Sequence, residues 1–189
     1  DITGKLDRSF REYDGIMYFD GIPNIQLNAK DGGVGIGEFL LDNESNSTGK
    51  FKLSDGLHTA KVVDKLGNTS ETVSIGSLVG AKGNRVIIDT DNPSIKQESG
   101  FSEDYKDGSK LWYATVPNLV YTVTDENILS VKITVNDKEY DQTISSTGQY
   151  KVNLSGVSDG KVTVKVNAED KAGNTSSESY TFYLDRKAP

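Results

Sequence analysis

Acidic and amide side chains recur in this chain at spacings that suit the binding of a cation. Two near-identical segments, DKLGNTS at 64–70 and DKAGNTS at 170–176, match at six of seven positions. Each segment places an aspartate four residues before an asparagine, with a glycine between them. Carboxylate and amide oxygens are ligands that Ca²⁺ prefers, but the same residue types also form tight turns. The segments therefore predict either a calcium site or a turn that its own side chains stabilise.

Nucleophilic and metal-assisted catalysis finds little support among the residue types of the chain. There is no Cys, which excludes a thiol nucleophile and a zinc site with Cys ligands. His58 is the single His, which makes a catalytic triad or a His-rich metal site very hard to build. It begins an alternating strand, so we expect it at an edge or on the surface.

Two other patterns resemble catalytic motifs only in part. Glu103, Asp104 and Asp107 have the residue types of a glycosidase, but they fall in a predicted loop with no sign of a buried pocket. The glycine-rich segment 32–37 lacks the Lys-Ser/Thr ending of a phosphate loop, and we predict a flexible turn there. We therefore predict that the chain is not an enzyme.

The overall charge argues against two classes of partner. The net charge is −7 and the isoelectric point is near 4.8, whereas nucleic acids and anionic membranes attract basic surfaces. No apolar run approaches the roughly 18 residues that cross a bilayer. We expect no nucleic-acid partner and no membrane insertion, and we interpret the chain as part of a longer exported protein.

The elements that must position these side chains are predicted to be β-strands. Segment 161–168 (KVTVKVNA) alternates apolar and polar residues with the period of two that a half-buried strand requires. The same alternation occurs in 118–123, 130–135, 149–154 and 180–184. Turn-forming residues recur about every 8 to 12 residues, which is the spacing of a sandwich. The sequence predicts an all-β fold, with the strand number of an immunoglobulin-like sandwich in its second half.

Further matching blocks indicate that the whole unit is duplicated. IPNI at 22–25 matches VPNL at 116–119, and STGKFKL at 47–53 matches STGQYKV at 146–152. The blocks keep their order along the chain, and only the connections differ in length. This pattern predicts two tandem immunoglobulin-like β-sandwich domains.

The boundary between the domains is predicted at the DTDNP segment that ends at Pro93. Domain 1 then spans 1–89 and domain 2 spans 90–189. Domain 1 has extra residues at about 77–85, which we interpret as a hairpin or bulge along its last strand. A linker this short, with a proline that favours an extended backbone, predicts a stiff rod rather than freely moving beads.

Loop positions sharpen the calcium hypothesis. In an immunoglobulin-like sandwich, the B–C and F–G loops lie at the same end as the N-terminus. Domain 2 would then bring together acidic and amide residues of its linker and of these two loops at an interdomain junction. The candidate ligands are Asp89, Asp91, Asp125, Glu126, Asp170 and Asn174. Carboxylates at this density repel each other without a cation, so Ca²⁺ is the expected ligand.

One aromatic residue is a candidate for contact with a ligand. Trp112-Tyr113 precedes a predicted strand and matches Met17-Tyr18 of domain 1. Shared aromatic residues at this point are predicted to pack over the edge of the sandwich. The alternative is that Trp112, the single Trp of the chain, stacks on a sugar ring.

The repeated hairpin motif resembles the bacterial Ig-like repeat modules of Gram-positive surface proteins and large adhesins. In that family a repeat ends with a strand, an Asp-x-Ala-Gly-Asn hairpin, a final strand and an Asp-x-x-x-Pro junction. The second domain matches at 170–174 and 185–189, while the first has Leu66 in place of the usual Ala. The resemblance implies calcium at some junctions, and it leaves open an internal Lys–Asn isopeptide bond.

The function that these patterns predict is structural. We expect a non-catalytic stalk or spacer of a bacterial cell-surface, cell-wall or secreted protein, whose partners are neighbouring Ig-like domains of the same chain. One alternative is a module that binds a glycan or a host protein. The other is an accessory region of a large exported protease or glycosidase, since fold analogy does not settle function.

Overall fold

The computed structural model describes residues 1–139, 143–144 and 148–188. The chain divides into two compact units, with the boundary between Thr90 and Asp91. Almost all regular structure is β-strand, and a single five-residue helix occurs among the described residues. With five residues, this helix is too short to cross a membrane. The predicted all-β fold of two tandem immunoglobulin-like sandwiches is confirmed.

Unit 1 is built from eleven short strands and the helix. They are β1 (Ile2–Leu6), β2 (Arg11–Tyr13), β3 (Ile16–Phe19), β4 (Asn24–Ala29), β5 (Ile36–Leu41), β6 (Glu44–Asn46), β7 (Lys50–Lys52), β8 (Gly56–Leu57), β9 (Thr59–Asp64), β10 (Val73–Ser74), α1 (Ile75–Val79) and β11 (Arg85–Ile88). Their sheets have the orders β1-β4-β7, β10-β9-β5-β6 and β2-β3-β11-β8. The β3–β11 pair is parallel, whereas the other pairs are antiparallel.

Unit 2 repeats this plan with longer strands. They are β12 (Ser94–Ser99), β13 (Tyr105–Asp107), β14 (Lys110–Tyr113), β15 (Val120–Thr124), β16 (Ile128–Val135), β17 (Lys138–Glu139), β18 (Thr143–Ile144), β19 (Gln149–Lys151), β20 (Gly160–Asp170) and β21 (Thr175–Leu184). Their sheets have the orders β12-β15-β19-β18 and β13-β14-β21-β20-β16-β17. The sequence also predicts a short strand near 139–144, and residues 140–142 of that stretch lie outside the described residues.

Each unit has its own core, because alternate residues of its strands point inward. In β20 the inward positions Val162, Val164 and Val166 are completely buried. They pack with Phe182 and Leu184 of β21 in the core of unit 2. Unit 1 has a separate cluster around residues such as Phe19 and Val86 of its parallel strand pair. The period of two read from the sequence therefore sorts core from surface in both units.

The last strand differs between the units. In unit 2, the single strand β21 pairs with β20 on one side and with β14 on the other. In unit 1 these two pairings are divided, because β10 pairs with β9 while β11 pairs with β3. The helix α1 and the residues after it separate β10 from β11.

The hairpin or bulge predicted at 77–85 is therefore wrong. The hydroxyl of Ser74 accepts a hydrogen bond from the backbone N–H of Ser77 (3.3 Å) and caps the start of α1. Gly80 ends the helix in the left-handed conformation, with φ of 75°. The local capping residues, rather than a strand pairing, decide the structure of this insertion.

Candidate functional site

The first copy of the repeated motif forms a turn that its aspartate holds together. Asp64 Oδ1 accepts hydrogen bonds from the backbone N–H groups of Leu66 (2.8 Å) and Asn68 (2.9 Å). Asp64 Oδ2 accepts one from the side-chain amide of Asn68 (2.8 Å). Gly67 takes a φ of 88°, a conformation that favours glycine. The Asn68 side-chain hydrogen bond is the largest cause of the lowered pKa of Asp64.

The second copy has the same geometry in a more buried setting. Asp170 Oδ1 accepts from the backbone N–H of Asn174 (2.8 Å), and Oδ2 accepts from the Asn174 side-chain amide (2.7 Å). Gly173 takes a φ of 104°. Asp170 is completely buried. A carboxylate is seldom buried without partners, and these hydrogen bonds provide them. In both copies, therefore, the aspartate makes the hydrogen bonds that the turn-forming interpretation of the motif requires.

The described geometry of unit 2 also brings two predicted calcium ligands together. Asp125 lies in the loop between β15 and β16, and Asp170 ends β20. A carboxylate oxygen of Asp125 lies within 4.8 Å of a carboxylate oxygen of Asp170. Asp125 Oδ1 also accepts a hydrogen bond from the backbone N–H of Asn127 (2.7 Å). Two carboxylates this close, beside the amide of Asn174, form a donor set of the kind that binds Ca²⁺.

The remaining predicted ligands lie on other segments of the chain or at the next loop position. Asp89 follows β11, and its backbone N–H donates to the carbonyl oxygen of Phe19 (2.9 Å). Asp91 and Glu126 have exposed side chains, Asp91 before β12 and Glu126 in the loop after β15. Their participation in a calcium site stays a prediction.

The expectation that His58 lies at an edge or on the surface was wrong. Its side chain is buried, with 5% exposure, at the break between β8 and β9. Its Nδ1 lies 2.7 Å from Asp42 Oδ2, and its Nε2 lies 2.8 Å from the carbonyl oxygen of Ser54. These two contacts satisfy the buried imidazole and link the strand break to the turn at Asp42, so the residue has a structural role.

The residues that resembled glycosidase carboxylates are not assembled as a catalytic pair. Asp104 and Asp107 are exposed, and Asp104 Oδ2 accepts a hydrogen bond from the backbone N–H of Ala114 (2.8 Å). The glycine-rich segment 32–37 connects β4 to β5 and runs into β5, as predicted for a turn between strands. Asp31 closes that turn by accepting from the N–H groups of Gly33 (3.1 Å) and Gly35 (2.8 Å).

Trp112 lies on β14. The register of the parallel strands corrects the match between Trp112-Tyr113 and Met17-Tyr18 of domain 1. Tyr113 pairs with Leu184, as Phe19 pairs with Ile88 in unit 1. Tyr113 therefore corresponds to Phe19, and Trp112 to Tyr18, one position later than the match drawn from the sequence. The ring centroids of Trp112 and Tyr183 lie 4.9 Å apart.

Two aromatic residues beside Trp112 were not singled out by sequence reasoning. Tyr105 lies on β13, within the stretch around Asp104 and Asp107 for which the sequence predicts a loop. Asp107-Gly108 between Tyr105 and Trp112 is a hairpin signal that could have identified this strand pair, and Gly108 has a φ of 57°. Tyr183 lies within a predicted strand, but its pairing with Trp112 depends on a parallel register that sequence patterns do not give.

Comparison with protein-family models finds a match over residues 88–186, just over half of the chain, to the bacterial Ig-like domain. The chain belongs to the bacterial Ig-like domain family. The matched region begins at the last residue of β11 and includes almost all of unit 2. A comparison with curated protein sequences gave no match.

Solved structures similar to this bacterial Ig-like chain include three bacterial or adhesion proteins. The fibronectin(III)-like modules of CbhA from Clostridium thermocellum share 15% identity over 96% of this chain and 94% of theirs, with a TM-score of 0.41. A tetra-tandem repeat in the extending region of a large adhesion protein shares 18% identity over 98% of this chain and 49% of its own, with a TM-score of 0.37. A Ca²⁺-stabilized adhesin that helps an Antarctic bacterium bind ice shares 17% identity over 97% of this chain and 49% of its own, with a TM-score of 0.34. The bacterial Ig-like chain thus spans about half the length of the two solved adhesin chains.

Proposed function

We propose that this chain is a non-catalytic structural segment of a bacterial cell-surface or secreted protein. It would act outside the cell as a semi-rigid stalk or spacer that presents a functional head. The observation that carries the proposal is the repetition of one closed sandwich plan in two units, the second of which matches the bacterial Ig-like domain. Each unit buries a hydrophobic core of its own.

The strand pairing supports a mechanical role for each unit. In unit 2, β20 and β21 pair in an unbroken antiparallel register from Gly160–Leu184 to Glu169–Thr175. The same β21 also pairs in parallel with β14, so the last strand is held on both sides. A force that pulls on the end of this strand loads several backbone hydrogen bonds together, which resists its removal from the sheet.

Pulling the whole chain between two handles by single-molecule force spectroscopy tests the spacer proposal. We expect two separate unfolding events, each releasing roughly 30 nm of chain, because about 90 residues extend at roughly 3.5 Å each. Extension without a force peak would contradict a load-bearing spacer. A single event of double length would contradict two separately folded units.

We further propose that Ca²⁺ stiffens the segment through Asp89, Asp91, Asp125, Glu126, Asp170 and Asn174. The proximity of the Asp125 and Asp170 carboxylates and the burial of Asp170 support this assignment. The short linker that ends at Pro93 supports limited bending.

Calorimetric titration with CaCl₂ and thermal unfolding with and without EDTA test the calcium component. We expect measurable binding heat and a higher melting temperature with Ca²⁺, since a ligand of the folded state stabilises it. Asp125→Asn should remove most of this gain. Asp137→Asn is the matched control, because it removes an exposed carboxylate from the β16–β17 turn. Absence of binding heat together with a melting temperature unchanged by EDTA would overturn the assignment.

A further inference from the structure

Unit 2 carries a row of aromatic side chains on the outer face of its six-stranded sheet. Tyr105 of β13 pairs with Trp112 of β14, and Trp112 pairs with Tyr183 of β21. Directly paired residues point to the same face of a sheet, so the three rings form one row across three strands. The next residues, Tyr113 and Leu184, point to the core and are buried. The row therefore faces away from the core.

Two rings of the aromatic row, those of Trp112 and Tyr183, are packed against each other before any ligand arrives. The rings of Trp112 and Tyr183 lie 4.9 Å apart with an angle of 33° between their planes. Lys110 Nζ lies 5.5 Å from the centre of the Tyr183 ring, within the range of a cation–π contact. Tyr105, by contrast, is 66% exposed. The packed pair therefore loses little conformational entropy on binding, and Tyr105 adds an exposed ring next to it.

A shallow cleft beside this row combines aromatic rings with two carboxylates. It has a volume of about 340 Å³ and is lined by Asp104, Tyr105, Trp112, Tyr113, Ala114 and Asp185. The backbone fixes one oxygen of each carboxylate: Asp104 Oδ2 accepts from Ala114 N–H (2.8 Å), and Asp185 Oδ1 accepts from Lys187 N–H (3.2 Å). Within the described part of the chain, no hydrogen bond engages Asp104 Oδ1 or Asp185 Oδ2.

From this arrangement we propose that unit 2 contains a binding site for a neutral glycan. The aliphatic C–H face of a pyranose ring packs against Trp112, while sugar hydroxyl groups donate hydrogen bonds to Asp104 and Asp185. Inside the cleft the two carboxylates disfavour an acidic sugar, which favours an uncharged glycan over an anionic one there. Adjacent strands lie about 4.8 Å apart, a spacing comparable to one sugar unit, so the row fits consecutive units of a chain rather than a single monosaccharide.

This site goes beyond the spacer role, and either proposal can fail without the other. The force measurement above does not depend on Trp112, and glycan binding does not depend on Ca²⁺ or on resistance to force. A spacer with such a face would contact the polysaccharides that surround it, in addition to presenting a head.

The single Trp of the chain allows a direct test, because its fluorescence and its indole N–H resonance report on the cleft alone. The probes are four neutral hexasaccharides: maltohexaose, cellohexaose, chitohexaose and mannohexaose. We expect at least one of them, at millimolar concentration, to change both Trp112 signals with saturation. A fixed set of resonances around β13, β14 and β21 should move with them.

Variants separate the site from general effects. Tyr105→Ala and Asp104→Asn should each weaken binding about tenfold, as expected for contacts near the centre of a small interface. Trp112→Ala should abolish binding, which is then read from the β13 and β21 resonances. Leu129→Ala is the matched control, since it removes a 38% exposed apolar side chain from β16, and it should leave binding unchanged.

Two results would overturn the proposal. One is a flat response of Trp112 to all four hexasaccharides in a chain whose resonances show it to be folded. The other is a response of the Trp112 signals to protein concentration but not to sugar, which would assign the cleft to protein docking instead.

Discussion

Two buried tyrosine hydroxyl groups show how strongly a single polar atom depends on its partners. Tyr121 is completely buried, and its hydroxyl oxygen has no hydrogen-bond partner in the part of the chain that the structure describes. The hydroxyl of Tyr113, by contrast, lies 2.8 Å from that of Tyr180 and donates to the carbonyl oxygen of Gly100 (3.2 Å). Burial is the largest cause that raises the pKa of both tyrosines, so both stay neutral.

Replacing each tyrosine by phenylalanine should therefore have different effects on the free energy of unfolding. Tyr113→Phe removes two hydrogen bonds and should lower the free energy of unfolding of unit 2 by about 1 kcal/mol. Tyr121→Phe removes a hydroxyl that gave up water without a protein partner, so it should leave that free energy unchanged or raise it by up to about 1 kcal/mol. Urea unfolding of the two variants measures the difference. Equal destabilisation by both would show that Tyr121 has a partner in solution.

At the scale of elements, the repeated hairpin stabilises itself through its aspartate. In unit 1, Asp64 accepts three hydrogen bonds from Leu66 and Asn68 and closes the turn between β9 and β10. The lowered pKa of Asp64 shows that the folded turn favours the charged form. Such a group contributes stability above its unfolded pKa, about 3.9, and loses that contribution as the pH falls through its lower folded value.

The stability difference between the native chain and Asp64→Asn should therefore depend on pH. We expect the native chain to be more stable at pH 7 and the difference to shrink between about pH 5 and pH 2. Urea unfolding at a series of pH values checks this, with Asp14→Asn as control. Asp14 is an exposed aspartate that already has a positive φ of 52°, which asparagine tolerates. A difference that stays constant down to pH 2 would contradict the role of the charged carboxylate.

In the helix α1, tertiary packing requires a residue that helix propensity disfavours. Gly76 lies inside the helix, where alanine is favoured by about 1 kcal/mol. A Cβ atom at Gly76 would, however, collide with the backbone carbonyl oxygen of Gly83. The backbone N–H of Gly76 also donates to Asn84 Oδ1 (3.0 Å). Close approach between α1 and the segment before β11 is thus what requires glycine here.

Gly76→Ala should destabilise unit 1 even though it improves helix propensity. We expect a loss of about 2 kcal/mol or more, because backbone atoms must move to admit the methyl group. Gly32→Ala is the control, since a Cβ atom at Gly32 meets no atom within 4 Å, and it should change stability by less than about 0.5 kcal/mol. Thermal unfolding of both variants measures the contrast. An unchanged or increased stability of Gly76→Ala would show that the backbone there yields at no cost.

At the scale of the whole molecule, the two hydrophobic cores have no residue in common among the described residues. Val86 is completely buried in unit 1, and Val164 is completely buried in unit 2. Replacing either by alanine removes apolar surface and leaves a cavity in one core only. The two changes should therefore act on different parts of the unfolding curve.

Denaturant unfolding should resolve this separation when two local probes are followed. Trp112 fluorescence reports on unit 2, and the His58 ring resonances report on unit 1. Val164→Ala should lower the unfolding midpoint that Trp112 reports, and Val86→Ala should lower the midpoint that His58 reports. Each change should reduce the free energy of unfolding of its own unit by about 1 to 3 kcal/mol. If either variant shifted both probes equally, the two units would unfold as one cooperative body.

Much of the fold follows from the sequence, because alternation acts over a few residues. The predicted strand 161–168 lies within β20, and the predicted strand 180–184 forms the end of β21. The helix α1 escaped prediction, because five residues are too few to show a helical period. The burial of His58 escaped it as well, since its partners Asp42 and Ser54 lie on other segments.

The sequence alone determined the duplication, the all-β class and the repeated turn, since each depends on residues that are neighbours along the chain. Asp170 and Asn174 lie four residues apart, so their hydrogen bonds can be anticipated from their spacing. Only the tertiary structure decided that Tyr105, Trp112 and Tyr183 form one row beside Asp104. The physical reason is that strand register between distant segments sets which side chains meet, and register depends on the packing of the whole sheet.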